Sequence, residues 1–221
     1  MKMNVSWVKL LRDAAVVVGS VYLAIVLEGI SETRDRRADA EQALVRLHTE
    51  LQQDRADLEV IMAAQADRQV RHQRIDRWLS RPDAIPADSM TEHLTALFSV
   101  NRTMFPRNSS WTTMVSSGQL TYLEDPALVA RLANFYENLN ERLEYNGVVY
   151  DSWVSDVARD AVPRVWNRVD GRPMTIVSED IARFRGDLLG LLDLSIGFYG
   201  LLEEWRGELD KVLEEVERHR G

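Results

Sequence analysis

The sequence predicts an all-α protein, in which an N-terminal transmembrane helix continues into a helical bundle. Three observations predict it. Ala14 to Leu27 (AAVVVGSVYLAIVL) is 14 residues without a charge, and no other stretch is so apolar for so long. Downstream, apolar residues recur at spacings of three and four, the period of a helix. No segment alternates at period two for long enough to make a sheet strand.

The anchor comes first, as a domain spanning residues 1–30. Fourteen helical residues cover about 21 Å, short of a bilayer core of roughly 30 Å. Leu10 to Ile30 extends the run to 21 residues. Arg12, Asp13 and Glu28 then lie near the two interfaces. Lys9 and Arg12 can snorkel, and Trp7 suits the headgroup level. Ala14, Ala15, Gly19, Ser20 and Ala24 are small and offer close contact to a neighbouring helix. Tyr22 and Leu27 complete the anchor. Glu28 cannot snorkel far, so either a partner protein or a thinned bilayer is expected beside it. A cleaved signal peptide with Gly29-Ile30-Ser31 as a weak cleavage site is the competing reading, and the expectation is that the segment is retained. An interfacial helix or a soluble core helix would also account for the apolar run.

Residues 31–221 form the second domain, large enough for a real core. No Gly or Pro interrupts Ser31 to Ser80, so a rigid stalk over about 31–80 is expected to continue from the anchor. Leu44, Leu47, Leu51, Leu58 and Ile61 fall at heptad spacing, and Asp54 breaks one of the apolar positions. Asp54 is read either as a register-setting polar group or as a solvated one. Asp67 and Arg71 form an i,i+4 pair on the exposed face. Pro82 and Pro86 end the stalk, and a short helix follows over Thr91 to Val100.

Asn108 or Ser109 caps the next helix and Gly118 stops it. Asp125 caps another, with Pro126 at its first position and Leu128, Leu132, Phe135, Tyr136 and Leu139 as its stripe. Val148 to Val169 is expected to be helical in part and broken at Pro163. Residues 168–173 form a turn cluster. The last helix, Ile181 to His219, carries Leu188, Leu192, Ser195, Tyr199, Leu202, Trp205, Leu209, Val212 and Val216 at helical spacing. Its stretch Leu188 to Leu202 is nearly apolar all round but short. It is read as a central bundle helix, with Gly190, Gly197 and Gly200 permitting close contact, rather than as a second span.

Composition narrows the function. Net charge is −8, from 27 basic and 35 acidic residues, and no basic face dominates, so nucleic acid is not an expected partner. Zero cysteines exclude zinc knuckles, iron–sulfur ligation and covalent haem motifs. None of His48, His72, His93 and His219 has a carboxylate three residues before it, which removes the Glu-x-x-His pair of di-iron bundles. The anchor holds no histidine as an axial ligand. His72 is read as a solvated helix residue and His93 as a surface one. There is no Gly-x-Ser-x-Gly elbow, P-loop or Gly-x-Gly-x-x-Gly. No cofactor, no metal and no catalytic residue is expected. Binding surface is sought instead among aromatics and charges: Phe105 and Trp111 with Met114, Trp153 with Tyr150 and Trp166, and above all Glu28, Tyr122 and Trp166.

One resemblance adds to this reading. Leu10 to Arg37, with its charged start Glu28-Gly-Ile-Ser-Glu-Thr-Arg-Asp-Arg-Arg, resembles an uncharacterised bacterial family of single-span proteins with a helical soluble domain. Ser110-Trp-Thr-Thr-Met-Val-Ser-Ser-Gly-Gln-Leu120, Asp125-Pro126-Ala-Leu128 and Phe135-Tyr136 are similar to that family's central helix–Gly–helix segment. The resemblance implies architecture and no activity.

Lipid bilayer and integral membrane subunits are the expected partners. The expected role is a non-enzymatic accessory subunit of a bacterial inner-membrane complex, such as a photosynthetic reaction centre with its antenna or a respiratory complex. The bulk of the chain is placed in the periplasm, although Lys2, Lys9 and Arg12 before the span nearly balance Arg34, Arg36 and Arg37 after it. A ligand-sensing helical domain that signals through a partner is the second expectation.

Overall fold

The computed structural model describes residues 7–81, 87–98, 103–174 and 178–220, without the side chains of 7–14, 87 and 173. It is all-α. Helix α1 (Trp7–Leu79) is 73 residues long, about 110 Å at 1.5 Å per residue. The side chains of Trp7, Lys9, Arg12 and Ala14 lie outside the described ones, as do Lys2, Pro82, Pro86 and Val100. Helices α2 (Ala87–Phe98) and α3 (Ser109–Ser116) follow, then a 3₁₀ turn at Gln119–Tyr122. Next come α4 (Pro126–Asn134), α5 (Glu141–Asp156) and α6 (Val162–Val165), linked end to end by π turns at Phe135–Asn140 and Val157–Ala161. Two-residue strands β1 (Trp166–Asn167) and β2 (Arg172–Pro173) make a small antiparallel bridge, and α7 (Ser178–Arg218) closes the fold.

Local chemistry explains most boundaries. Gly118 adopts φ 71°, the left-handed conformation that ends α3. The Asp125 carboxylate accepts from the Ala127 and Leu128 N–H groups at 2.8 and 3.4 Å, and Pro126 opens α4. Cap residue Asn108 makes no side-chain bond to α3. Glu50 of α1 takes that place, accepting from the Ser110 N–H at 3.1 Å and from the Ser109 hydroxyl. Pro163 does not break the chain's helical path. The π turn immediately before it respaces the backbone ladder where proline has no N–H to donate.

Helix α7 lies antiparallel to α1, tied by Arg55–Asp210 at 3.0 Å near one end and Arg185–Asp76 at 2.8 Å near the other. The core has two apolar parts. The part nearer the apolar segment of α1 packs Leu44, Leu47, Leu51 and Leu58 of α1 against Phe198, Leu202, Trp205, Leu209 and Val216 of α7, with Leu128, Leu132 and Phe135 alongside. The distal part holds Ile75, Leu79, Met90, Leu94, Phe184, Leu188 and Leu191.

Between them runs a buried polar layer of Gln65, Arg68 and His72 with Ser195. Arg68 donates to the Leu97 carbonyl at 2.7 Å and to the Tyr150 hydroxyl at 3.2 Å. The Ser195 hydroxyl donates to Gln65 Oε1 at 3.3 Å. These bonds spare Arg68 and Ser195 the penalty of an orphaned buried polar group, whereas the buried His72 Nδ1 has no hydrogen-bond partner among the described residues.

The structure corrects several expectations. His72 and His93 are buried, not solvated. Both continue an apolar phase: His72 follows Leu58, Met62 and Arg68 on α1, and His93 lies between Met90 and Leu97 on α2. Asp54 is also buried, and it sets no helix register. It accepts from the Arg107 N–H at 3.0 Å and from the Arg107 guanidinium at 2.6 Å, which pins the chain entering α3 to α1. Ile61 is only half-buried, and Met62 is the core residue beside it. The expected close contacts at Gly197 and Gly200 are absent, since a Cβ there would meet nothing within 4 Å. Gly147 is the tight one: a Cβ there would touch the Thr103 Cβ at 3.4 Å.

Candidate interaction surfaces

The N-terminal part of α1 is the largest such surface. Every described residue from Ala15 to Asp39 is exposed, and the first buried one is Ala40. An 18-residue window in this helix has mean hydropathy 1.7, with none of it buried within the chain. Among the described residues, one helix is therefore long and apolar enough to cross a membrane. A soluble core helix is excluded as its role within the chain itself, because no other element covers it.

The structure refines the small-residue stripe. At 100° per residue, Ala15–Gly19 and Ser20–Ala24 are two i,i+4 pairs about 140° apart. They form two separate close-approach edges, not one face. The Ser20 hydroxyl donates back to the Val16 carbonyl at 2.8 Å, as hydroxyls in apolar helices commonly do. Tyr22 stands 70% exposed, and Leu27 and Glu28 are exposed too.

The bundle begins close to this helix segment. Arg36 lies six residues beyond Ile30, about 9 Å along the axis. Its guanidinium donates to the Tyr122 hydroxyl at 2.6 Å, lies over that ring at 5.6 Å, and also pairs with Glu32. Arg37 pairs with Glu124 at 3.1 Å, and His219 with Asp125 at 3.0 Å. The bundle thus sits directly beyond the apolar segment, with no bare stalk between. The Ala127 N–H, ahead of Leu128 and His219, holds the Asp125 carboxyl below its usual range.

A third surface is a groove along the seam of α5 and α7. A cavity of about 220 Å³ is lined by Val149, Tyr150, Leu194, Phe198 and Leu201, with Asp193 at its edge. A smaller notch shares Leu201 and continues past Leu139 to Trp205. Arg142 and Glu204 pair across the seam at 3.0 Å. Trp153 is 50% exposed, and one of its ring carbons lies 3.9 Å from where a Gly190 Cβ would be. Tyr145 and Val148 project from the outer side of α5. Gly197 also lines the groove.

The aromatic candidates divide sharply. Trp111 is buried and stacks on Tyr136 at 5.3 Å and 6°. Trp166 is buried and donates to the Thr91 hydroxyl at 3.0 Å. Both are corrected from interface to core, because each has an apolar neighbour or a hydroxyl that satisfies it inside the bundle. Tyr122 is half-buried and engaged with Arg36. Phe105 remains exposed. Sequence reasoning did not single out Tyr145, Val148, Leu194 or Leu201. Only the helical phase of α5 against α7 would have found them. Among the described residues, no group of three His, Asp or Glu side chains is placed to hold a metal.

These features define a class: an all-α protein in which one exposed apolar helix runs into an antiparallel helical bundle. More particularly, the chain belongs to a family of unknown function, DUF6090, which matches residues 13–176. That match takes in the apolar helix and most of the bundle and stops just before α7. No curated protein and no solved structure matches it.

Proposed function

We propose that this protein is a single-span, non-enzymatic subunit that braces other integral membrane proteins in a bacterial inner membrane, with its bundle on the periplasmic face. The observation that carries this reading is the bare segment of α1. Residues 15–30 cover about 24 Å of helix, none of them is buried within the chain, and water is a poor solvent for their apolar side chains. Lipid can cover Val16, Tyr22 and Leu23. The small edges at Gly19 and Ala24 suit a second helix, since small residues let helix backbones approach closely in a membrane. The α5–α7 groove gives the same partner a second point of attachment outside the bilayer.

Alkaline carbonate washing followed by native purification in mild detergent tests the proposal. The expected result is retention in the membrane fraction, then recovery in fixed stoichiometry with integral membrane subunits. Gly19→Leu should lower that recovery while leaving the bundle folded. Release by carbonate would overturn the membrane reading, and recovery of the intact protein alone would overturn the bracing role. Protease added to spheroplasts should cut the bundle but spare the N-terminal tail; the reverse pattern would overturn the orientation.

A further inference from the structure

The distal end of α1 and the residues just after it carry Arg71, Arg74, Arg77 and Arg81 at spacings of three, three and four, which puts them along one side of the helix. Helix α2 crosses that side and brings Ser89 and His93 to it. Between the two lies a cavity of about 640 Å³, lined by Arg74, Arg77, Trp78, Arg81, Ser89 and His93.

Charge here is out of balance. Three carboxylates on these two helices are engaged elsewhere: Asp67 with Arg71 at 2.6 Å, Glu92 with Arg71 at 3.7 Å, and Asp76 with Arg185 at 2.8 Å; Asp88, next to Ser89, is exposed. Among the described residues, no carboxylate pairs with Arg74, Arg77 or Arg81. This occurs in a chain whose acidic residues outnumber its basic ones, 35 to 27.

Hydrogen bonding is out of balance in the same direction. His93 Nδ1 lies 2.9 Å from Arg71 Nη1, and His93 Nε2 lies 3.1 Å from Arg74 Nη1. A neutral imidazole has one acceptor nitrogen and one N–H, and a protonated one has no acceptor. At most one guanidinium can therefore donate to the ring, and the other N–H faces a donor. The ring also packs against Trp78, with centroids 5.2 Å apart. Burial first, then Arg71 and Arg74, hold the His93 imidazole below its usual range, against Glu92 and Asp67. Among the described residues, the cavity lining thus has more hydrogen-bond donors than acceptors and three guanidinium groups, with the Ser80 and Ser89 hydroxyls and the Trp78 ring completing it.

We propose that this cavity binds a small soluble oxyanion of the phosphate or phosphate-monoester class, held by Arg74, Arg77 and Arg81, with Ser89 donating and Trp78 covering any flat substituent. Guanidinium forks match phosphate oxygens in pairs and stay charged at any working pH. The source is not a headgroup of the membrane that holds the anchor. Arg77 lies 47 residues beyond Ile30 on one continuous helix, about 70 Å away along the axis. The proposal stands apart from the bracing role, since it needs neither lipid nor partner.

Calorimetric titration of the full chain in non-ionic detergent tests it, in a zwitterionic buffer at constant ionic strength. The probes are sodium phosphate and phenyl phosphate. Saturable binding at one site per chain is expected for at least one probe. Tighter binding of phenyl phosphate assigns the site to phosphate monoesters, and equal or weaker binding assigns it to free phosphate. Replacing Arg77 and Arg81 together by alanine should weaken binding at least ten-fold with an unchanged circular-dichroism spectrum. Arg142→Ala, at the α5–α7 seam, should leave binding unchanged. As a second readout, the imidazole signal of His93 should titrate at higher pH once the anion is bound, as Arg71 and Arg74 become neutralised while Glu92 and Asp67 stay as they are. No saturable heat with either probe, or equal loss in Arg142→Ala, would overturn the site. A recovered membrane complex with no anion binding would leave the bracing role intact and remove this inference alone.

Discussion

Asp54 and His72 are both buried in the bundle, and burial drives their proton affinities in opposite directions. Burial pushes the Asp54 carboxyl up to about 6 from its usual 3.8, against the pull of Arg107. Burial, helped by Arg68, pushes the His72 imidazole down to about 4 from 6.5. For Asp54 the folded state binds the proton more tightly, so lowering the pH from 7 to 5 adds about 1 kcal/mol of stability. For His72 the unfolded state binds it more tightly. Stability present above pH 6.5 is lost as the pH falls toward 4, by about 2 kcal/mol at pH 5. The two slopes oppose each other in the natural chain. Urea unfolding at pH 7 and pH 5 should therefore separate them. Asp54→Asn should make the protein more acid-sensitive than the natural chain, and His72→Gln less so. Slopes that move together would show that the two groups titrate through some other contact.

At the scale of elements, caps and stops carry predictions with small, definite costs. Asp125→Ala removes the acceptor for two α4 N–H groups and should cost about 1 kcal/mol. Gly118→Ala places a Cβ on a residue at φ 71°, with open space around it. Its cost is therefore backbone strain alone, about 1 kcal/mol. Both are read from urea midpoints at constant m-value. Leu202→Ala should cost more, about 2–5 kcal/mol, because Leu202 is fully buried between α7 and the rest of the core nearer the apolar segment of α1. These boundaries were legible in advance. Asp-Pro and Ser-Ser-Gly act through bonds and dihedral angles within a few residues, so the local sequence is enough. The π turns were not legible, nor was the survival of the helix through Pro163. They depend on how α5 and α6 fit against α7.

For the whole molecule, α1 is the central strut and, under the proposed function, also the anchor. Its first buried residue, Ala40, comes 10 residues after Ile30, so any tilt of the membrane helix is passed directly to the bundle. No Gly or Pro falls between Ser31 and Ser80 to absorb it. A helix-breaking insertion of Gly-Pro-Gly after Glu32 should leave the bundle's melting temperature unchanged within about 2 °C, a shift that corresponds to less than 1 kcal/mol for a domain of this size. It should nevertheless abolish stoichiometric recovery with membrane partners. Unchanged recovery would mean that anchor and bundle dock independently.

The all-α class, the long apolar helix and most helix ends could be read directly from the order of residues, because hydrophobic period and capping chemistry are properties of near neighbours. Which polar and aromatic groups lie inside depended on how the helices meet. Trp111, Trp166, His72, His93 and Asp54 look like surface or interface residues until another helix covers them. Burial and pairing are set by which faces come together across long separations in the chain, and a single helix's pattern shows its faces but not what will cover them.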